Sequence, residues 1–126
     1  MRWVLDSNVW IEAAAGKPHA GSAVVKAGSI EWCGFSSITK LEVLGFPHLN
    51  PADEQRFGAL LGQFHEVPVS GAVIDEAIRI RRQVRVKTPD ALIAATALVE
   101  GATLVTRNVS DFANIPGLTV IDSATL

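Results

Sequence analysis

The chain has 126 residues, of which 48% are hydrophobic and 19% are charged, and its formal net charge is -2. This composition excludes a disordered chain and is sufficient for one domain with a buried core. The negative charge excludes whole-molecule attraction to nucleic acid, so polyanion binding requires a local basic patch or metal ions. The single cysteine, Cys33, excludes an internal disulfide and a cysteine-based zinc site.

The start of the chain and its apolar runs predict a cytoplasmic protein. Arg2 is followed by three apolar residues and then an acid, without the long apolar region or the cleavage site of a signal peptide. The apolar run ALIAATALV is shorter than the roughly 20 residues that cross a bilayer. With one cysteine and no such segment, the cytoplasm is the expected location, and residues 1–126 are expected to form a single domain.

Short apolar runs alternate with helix-capping residues along the chain. The apolar runs predict five strands, at Arg2 to Leu5, Glu31 to Phe35, Glu66 to Val69, Thr103 to Val105 and Leu118 to Ile121. Caps, helical spacing and Gly or Pro stops predict helices at Asn8 to Ala15, Ser22 to Ala27, Ser36 to Leu44, from Pro51 onward, Ser70 to about Val84, and Thr88 to Gly101. The alternation predicts an α/β fold, a single three-layer domain with a five-stranded, mainly parallel sheet and helices on both faces.

Four acidic residues fall where such a sheet binds ligands, outside the carboxyl ends of its strands. Asp6 ends the first strand, and Asp111 lies in the loop after the fourth. Asp90 is in the first turn of the alanine-rich helix, and Glu42 lies within SSITKLEVLG. Three of them have a structural alternative when taken alone: Asp6 as a helix cap, Asp90 as an anion at a helix N-terminus, and Asp111 as a turn residue.

Glu42 and Asp90 are harder to explain as structural residues. Ile38, Leu41 and Leu44 predict a buried stripe on the third helix. Glu42 falls on or beside that stripe rather than opposite it. A carboxylate in such a place is costly unless it is paired, hydrogen-bonded or bound to a cation. The helix that Asp90 opens is apolar nearly all round, which predicts burial on most sides.

These carboxylates lack obvious cationic partners. Apart from Lys40, no Lys or Arg lies in the immediate neighbourhood of Asp6 or Glu42, so the cluster needs another source of positive charge. Oxygen ligands without cysteine suit Mg²⁺ or Mn²⁺. Such an ion activates water and neutralises phosphate, as phosphodiester hydrolysis requires. The residues therefore predict a metal-dependent hydrolase for a phosphate-bearing substrate, without specifying RNA.

The chain contains four motifs in series: DSNVWIE, SSITKLEVLG, PDALIAATAL and LVTRNVSDF, the last followed by IPGLTVI. In this order and at these spacings they resemble the PIN domain, and more closely the VapC-type toxins of prokaryotic toxin–antitoxin modules. The resemblance implies a PIN-like five-stranded parallel sheet between helices and an Mg²⁺- or Mn²⁺-dependent endoribonuclease acting on RNA. It also implies a homodimer that is inhibited by a cognate antitoxin, whose C-terminal segment lies across the active-site groove.

The resemblance also assigns catalytic and metal-binding roles. By position, Asp6, Glu42 and Asp90 match the first three acids of the family. Thr106 matches the hydroxyl residue that commonly follows the fourth strand. In the implied mechanism the acids hold the ion directly or through water, while Asn8 and Thr106 hydrogen-bond the carboxylates.

The fourth acid departs from the family pattern. Many PIN domains have an aspartate where Asn108 stands, and the sequence here is TRNVSD. Asp111 is therefore the expected fourth catalytic and metal-binding carboxylate, and Asn108 is expected to be a neutral helper. If Asp6 serves the ion, Ser7 or Asn8 is expected to cap the first helix in its place.

The stretch RIRRQVRVK is the densest positive segment of the chain. Asp75 lies one helical turn before Arg79, so a salt-bridged surface face explains that arginine. Arg81, Arg82, Arg85 and Lys87 lead instead towards Asp90, which predicts positive charge beside the site. Of these, Arg82, Arg85 and Lys87 are expected to contact RNA phosphates or the antitoxin.

Two other functions remain open at the level of sequence. One is a non-catalytic PIN-like binding module that only engages an antitoxin, against which the presence of Asp6, Glu42 and Asp90 counts. The other is a phospho-acceptor receiver, which places paired acids after its first strand and a lysine after a late one. Here Ser7 follows the first acid and Arg107 follows the late strand, so the receiver is the weaker alternative.

Overall fold

The computed structural model describes all 126 residues and contains one sheet of five strands. The strands are β1 (Arg2–Leu5), β2 (Trp32–Ser36), β3 (His65–Val67), β4 (Thr103–Thr106) and β5 (Val120–Asp122). All neighbouring strands pair in parallel, in the order β3-β2-β1-β4-β5. The predicted α/β fold is confirmed, and the sheet is wholly parallel.

Six α-helices connect the strands: α1 (Ser7–Ala14), α2 (Pro18–Ala27), α3 (Ser37–Leu44), α4 (Pro51–Leu61), α5 (Gly71–Gln83) and α6 (Thr88–Val99). The second helix begins four residues earlier than predicted, at Pro18. Proline is favoured at a first helical position, where its fixed φ suits the helix and its missing N–H needs no partner. None of these helices combines the length and the apolar character needed to cross a membrane.

The side chains of the strands alternate between two cores, and this alternation produces the three layers. Trp3 and Leu5 of β1 pack on the face covered by α1, α2, α3 and α4. Val4 of β1 and Leu104 of β4 pack on the opposite face against α5 and α6. The prediction that α6 is buried on most sides is confirmed, because its residues from Ile93 to Ala97 are all buried.

The path of the chain across the sheet places a crevice beside β1. From β1 the chain moves outward through β2 to β3, and α5 and α6 then carry it back to β4 on the other side of β1. β1 and β4 are direct neighbours, with Leu5 opposite Val105. In open parallel sheets ligands bind at this kind of reversal, outside the carboxyl ends of the strands. The residues that follow Leu5 and those that end β4 therefore border the crevice.

The buried face of α3 differs from the predicted stripe. The structure buries Thr39 and Val43, whereas Leu41 is 66% exposed. The short helix packs beside α1, where a hydroxyl group of α1 hydrogen-bonds Thr39, so this polar residue is covered in place of Leu41. The stripe prediction is therefore wrong for Leu41, whereas Ile38 and Leu44 are half-buried and pack against the cores. Glu42 lies at the rim of the helix, one turn after Thr39.

Gly34 in β2 allows an indole ring to lie across the strand. Trp32, on the same face of β2, stacks on His65 with ring centroids 5.5 Å apart, and Arg2 lies 4.3 Å from the indole centroid. A Cβ atom at position 34 would lie 2.6 Å from Cη2 of Trp32 and 2.7 Å from the backbone carbonyl oxygen of His65. The carbonyl belongs to a paired strand and cannot move aside without breaking the ladder.

The substitution Gly34→Ala is expected to lower the free energy of unfolding by about 1–3 kcal/mol, the range of overpacked cores. Thermal or urea denaturation measures this loss. Gly58→Ala on α4 is the matched control, because no atom lies within 4 Å of its added Cβ. That control should stabilise the helix slightly, since alanine costs less helical entropy than glycine. Equal stability of Gly34→Ala and the wild-type chain would contradict the packing argument.

Candidate active site

Asp6 follows β1 directly, is 5% exposed and uses both carboxylate oxygens. Its Oδ1 accepts a hydrogen bond from the backbone N–H of Ser7 at 2.7 Å, and its Oδ2 accepts one from the hydroxyl of Thr106 at 2.8 Å. Asp6 is itself the N-cap of α1, so the expectation that Ser7 or Asn8 would cap this helix is wrong. The two roles are compatible because one carboxylate oxygen caps the helix while the other contacts β4.

Thr106 links Asp6 to the loop after β4. Its buried hydroxyl donates to Asp6 and accepts a hydrogen bond from the backbone N–H of Asn108 at 3.0 Å. The side chains of Asn108 and Asn8 are exposed and make no hydrogen bond. Of these three expected helper residues, the structure therefore brings only Thr106 into contact with a carboxylate.

Glu42 is held by Ser7, which in turn contacts Thr39, and the sequence pattern assigned neither hydroxyl residue to the site. Ser7 Oγ lies 2.7 Å from Oε1 of Glu42 and 3.0 Å from Oγ1 of Thr39, and both hydroxyl residues are buried. A serine hydroxyl has one proton, so all three groups are satisfied when Ser7 donates to the carboxylate and accepts from Thr39. The available signals were a serine directly after the first acid and a threonine three residues before the second.

Asp90 and Asp111 come from different elements and line one cleft of about 680 Å³. Asp90 lies half-buried in the first turn of α6. Asp111 is exposed at the end of a 3-10 turn, Val109–Asp111, which follows β4. The 3-10 turn and the start of α6 are thus brought to the same end of the sheet.

The four carboxylates influence one another electrostatically. Burial is the main cause that raises the pKa of Asp6, opposed by its hydrogen bonds from Thr106 and Ser7, and the charges of Asp90 and Glu42 raise it further. Burial is also the main cause that raises the pKa of Asp90, with contributions from the charges of Asp111 and Glu42. Asp6, Glu42 and Asp90 therefore lie near enough for their charges to act on one another, and Asp111 is linked to this group through Asp90.

No ion pair compensates this cluster. Lys40, the nearest cation to Glu42 in the sequence, pairs with Glu66 at 3.2 Å. Arg107, next to Thr106, pairs with Asp122 at 3.2 Å. The carboxylates of Asp6, Glu42, Asp90 and Asp111 form no salt bridge with any Lys, Arg or His of the chain.

The donor set fits a hard divalent cation that keeps part of its water shell. All candidate donors are carboxylate oxygens, which Mg²⁺ and Mn²⁺ prefer, and none of them is engaged in a salt bridge. No three His, Cys, Asp or Glu side chains lie close enough together to share one ion directly. Mg²⁺ usually binds proteins through one or two carboxylates and several waters, so this spacing suits ligation partly through water.

The basic segment, defined as residues 81–87, borders the cleft of Asp90 and Asp111. Arg81, Arg85 and Lys87 line this cleft together with the two carboxylates. The sequence placed Arg81 near the site but selected Arg82 as the contact residue, because the sequence alone does not show which side of a helix end faces the site. Arg81 differs from the adjacent Arg82 in lining the cleft, not in its charge.

Two other residues of the basic stretch lie elsewhere. Arg82 does not line the cleft and borders an adjoining hollow instead. Arg79 pairs with Glu76 at 2.9 Å, so the expected pairing with Asp75 is wrong. Asp75 and Glu76, four and three residues before Arg79, are both neighbours of it on the helix, and the structure pairs it with Glu76, whose side chain is only 18% exposed.

These features define a class of protein: a three-layer α/β domain with an acidic cluster at the carboxyl edge of a parallel sheet. The PIN domain family model matches residues 3–118, and the chain belongs to this family. The resemblance noted from the four motifs is thereby confirmed at the level of the family. No curated protein sequence matches the chain significantly.

Solved structures of similar fold include several toxin–antitoxin complexes. A chain of a toxin–antitoxin complex from Klebsiella pneumoniae is 31% identical, with a TM-score of 0.82 over 95% of this chain and 96% of that one. VapBC2 from Rickettsia felis, bound to a DNA fragment from its promoter, is 22% identical, with a TM-score of 0.84 over 96% of this chain and 98% of that one. DNA-bound VapBC from Salmonella typhimurium is 24% identical, with a TM-score of 0.81 over 98% of each chain. The last two show a shared fold only.

Proposed function

We propose that this chain is the VapC-type toxin of a toxin–antitoxin module and that it is an Mg²⁺- or Mn²⁺-dependent endoribonuclease. The observation that carries the proposal is the group of four carboxylates at the carboxyl edge of a PIN domain, none of which forms a salt bridge. The 31% identity to a chain of a toxin–antitoxin complex supports the biological role.

The residues of the chain have distinct tasks in this proposal. Asp6, Glu42 and Asp90 would hold the divalent ion, directly or through water, and the exposed Asp111 would orient water at the open side of the cleft. When bound, the ion lowers the pKa of a water molecule and offsets charge on the phosphate. Thr106 fixes the orientation of the Asp6 carboxylate through its hydrogen bond of 2.8 Å and so keeps it at the crevice.

The proposal includes RNA as the substrate, a cognate antitoxin as the partner, a homodimer and a cytoplasmic location. Relatives of the same fold are found in VapBC complexes, which supports the antitoxin as a partner. The structure offers apolar side chains for such contacts. Ile74 and Ile78 lie one turn apart on α5 and are 41% and 44% exposed.

The activity is tested by incubating the purified protein with long single-stranded RNA in EDTA, in Mg²⁺ and in Mn²⁺. We expect internal fragments with either metal, no fragments in EDTA, and inhibition by a stoichiometric amount of the co-expressed antitoxin. A protein that binds the antitoxin but leaves RNA intact at every metal concentration is the non-catalytic binding module, and this result would overturn the proposed activity.

A further inference from the structure

The positive charges of the chain are distributed unevenly once ion pairs are taken into account. Five of the eleven Lys and Arg side chains pair with a carboxylate. Six are left without one, and four of these six belong to the basic segment. The other two, Lys17 and Lys26, lie at the ends of α2. The basic segment is therefore the main concentration of free positive charge.

The cleft beside the carboxylates is lined by residues from two parts of the chain. Arg81, Arg85 and Lys87 contribute positive charge where α5 passes into α6, next to Asp90. Ser110 and Asn114, from the loop after β4, contribute neutral polar groups beside Asp111. A volume of about 680 Å³ is within the range of ligand pockets. A positive groove with neutral polar groups suits a phosphate backbone followed along a single strand.

Compensation of the acidic cluster does not account for the arginines. Lys87 is the cation that acts on Asp90, where it lowers the pKa against the effect of burial. Arg81 and Arg85 form no ion pair with Asp90 or Asp111, although all four side chains border the cleft. Both guanidinium groups thus remain available for an anion that enters the cleft from solvent.

The opposite side of the acidic cluster has no free cation. Next to Glu42 on α3, Lys40 is paired with Glu66, and the adjoining Leu41 is an exposed apolar residue. Arg107 at the end of β4 is paired with Asp122. Free positive charge therefore lies on one side of the carboxylates only.

We infer that Arg81 and Arg85 form a one-sided subsite for the backbone phosphates of single-stranded RNA that flank the scissile bond. The inference rests on the proposed function, because the carboxylates define where the scissile bond lies. One flank of the substrate is held by phosphate contacts and the other is not. These contacts act on substrate binding rather than on the chemical step, because they are made equally in the bound substrate and in the transition state.

Binding of a short fluorescein-labelled single-stranded RNA of mixed sequence, followed by anisotropy in EDTA at several salt concentrations, tests the subsite without cleavage. Each phosphate contact on a single strand contributes about 0.7 to the slope of log affinity against log salt. The double variant Arg81→Gln/Arg85→Gln should therefore bind more weakly, with a slope shallower by about 1.4. An unchanged slope would overturn the inference.

Two neighbouring arginines provide matched controls for this measurement. Arg79→Gln removes a charge that is paired with Glu76, and Arg82→Gln removes one that lies outside the cleft. Both should keep the wild-type slope. A loss of slope as large in Arg82→Gln as in Arg85→Gln would show general attraction to the helix end and would contradict a defined subsite.

One-sidedness is tested on oligonucleotides that are centred on a mapped cut and extended on the 5′ or the 3′ flank alone. Extension on one flank only should lower KM with little change in kcat, and the double variant should lose this gain. Equal gains on both flanks would overturn the inference.

If the double variant instead loses antitoxin binding while RNA binding is intact, the subsite belongs to the antitoxin and the inference is wrong. If the wild-type protein cleaves no RNA, the proposed function fails, while the anisotropy experiment still decides the subsite.

Discussion

Replacing Asp6 by asparagine is expected to abolish metal-dependent RNA cleavage while stabilising the metal-free protein. The substitution removes a buried carboxylate that burial and two neighbouring carboxylates disfavour. Asparagine keeps an oxygen for the N–H of Ser7, and the hydroxyl of Thr106 can accept from the new amide. We expect cleavage to fall by at least about 100-fold, since altering residues around metal ligands alone costs 10–100-fold. The gain in unfolding free energy should be about 0.5–2 kcal/mol, as for other changes that trade activity for stability.

The stability gain of Asp6→Asn should depend on pH with a definite sign. Because burial raises the pKa of Asp6, the folded protein holds this proton to a higher pH than the unfolded chain. The contribution of protonated Asp6 to stability is therefore fully present below both pKa values. It is lost as the pH rises from the pKa of the unfolded chain through the pKa of the folded protein. Asparagine does not titrate and removes this dependence. The free energy of unfolding of the variant should therefore exceed that of the wild-type protein most at neutral pH. Denaturation in EDTA at several pH values measures the difference.

Asp75→Asn is the matched control, because Asp75 is an exposed aspartate of α5 without an ion pair. It should change neither cleavage nor the pH dependence of stability. A variant Asp6→Asn that is less stable than the wild-type protein at neutral pH would contradict the electrostatic argument. Equal cleavage by Asp6→Asn and wild type would mean that the activity belongs to a contaminating nuclease.

Ser7→Ala is expected to weaken Mn²⁺ or Mg²⁺ binding by about 10–100-fold, the usual effect of losing a partner that orients a metal ligand. The hydroxyl of Ser7 is the only group that hydrogen-bonds the Glu42 carboxylate, at 2.7 Å. Without it Glu42 can turn towards solvent, because the rest of its side chain is exposed at the rim of α3. The buried hydroxyl of Thr39 also loses a partner, which should cost about 1 kcal/mol of stability.

Calorimetric titration with Mn²⁺ measures the metal affinity independently of RNA cleavage. Ser7→Thr keeps a hydroxyl at the same place and should restore most of the affinity. Asn8→Ala changes the next residue, which is exposed and makes no hydrogen bond, so it should leave the affinity unchanged. If Ser7→Ala loses stability but keeps the wild-type affinity for Mn²⁺, Ser7 is a structural residue of α1 and does not position Glu42.

The four candidate acids were chosen from two kinds of signal in the sequence. Asp6 ends an apolar run and Asp90 opens an apolar helix, which are local signals, whereas Glu42 and Asp111 were assigned from the order of the four motifs. The strands and helices are visible in the sequence because caps, breakers and periodicity depend on residues a few positions apart. The sequence by itself therefore determined the α/β class and the succession of strands and helices, and it proposed four carboxylates as candidates.

Only the tertiary structure decided how these carboxylates are held and which cations accompany them. The hydrogen bond of Ser7 to Glu42 joins residues 35 positions apart, and that of Thr106 to Asp6 joins residues 100 positions apart. Such contacts depend on the parallel packing of the sheet and on the rotation of a short helix at its edge, which no local pattern encodes. The same rotation exposes Leu41, and the path from α5 to α6 places Arg81, rather than Arg82, on the wall of the cleft.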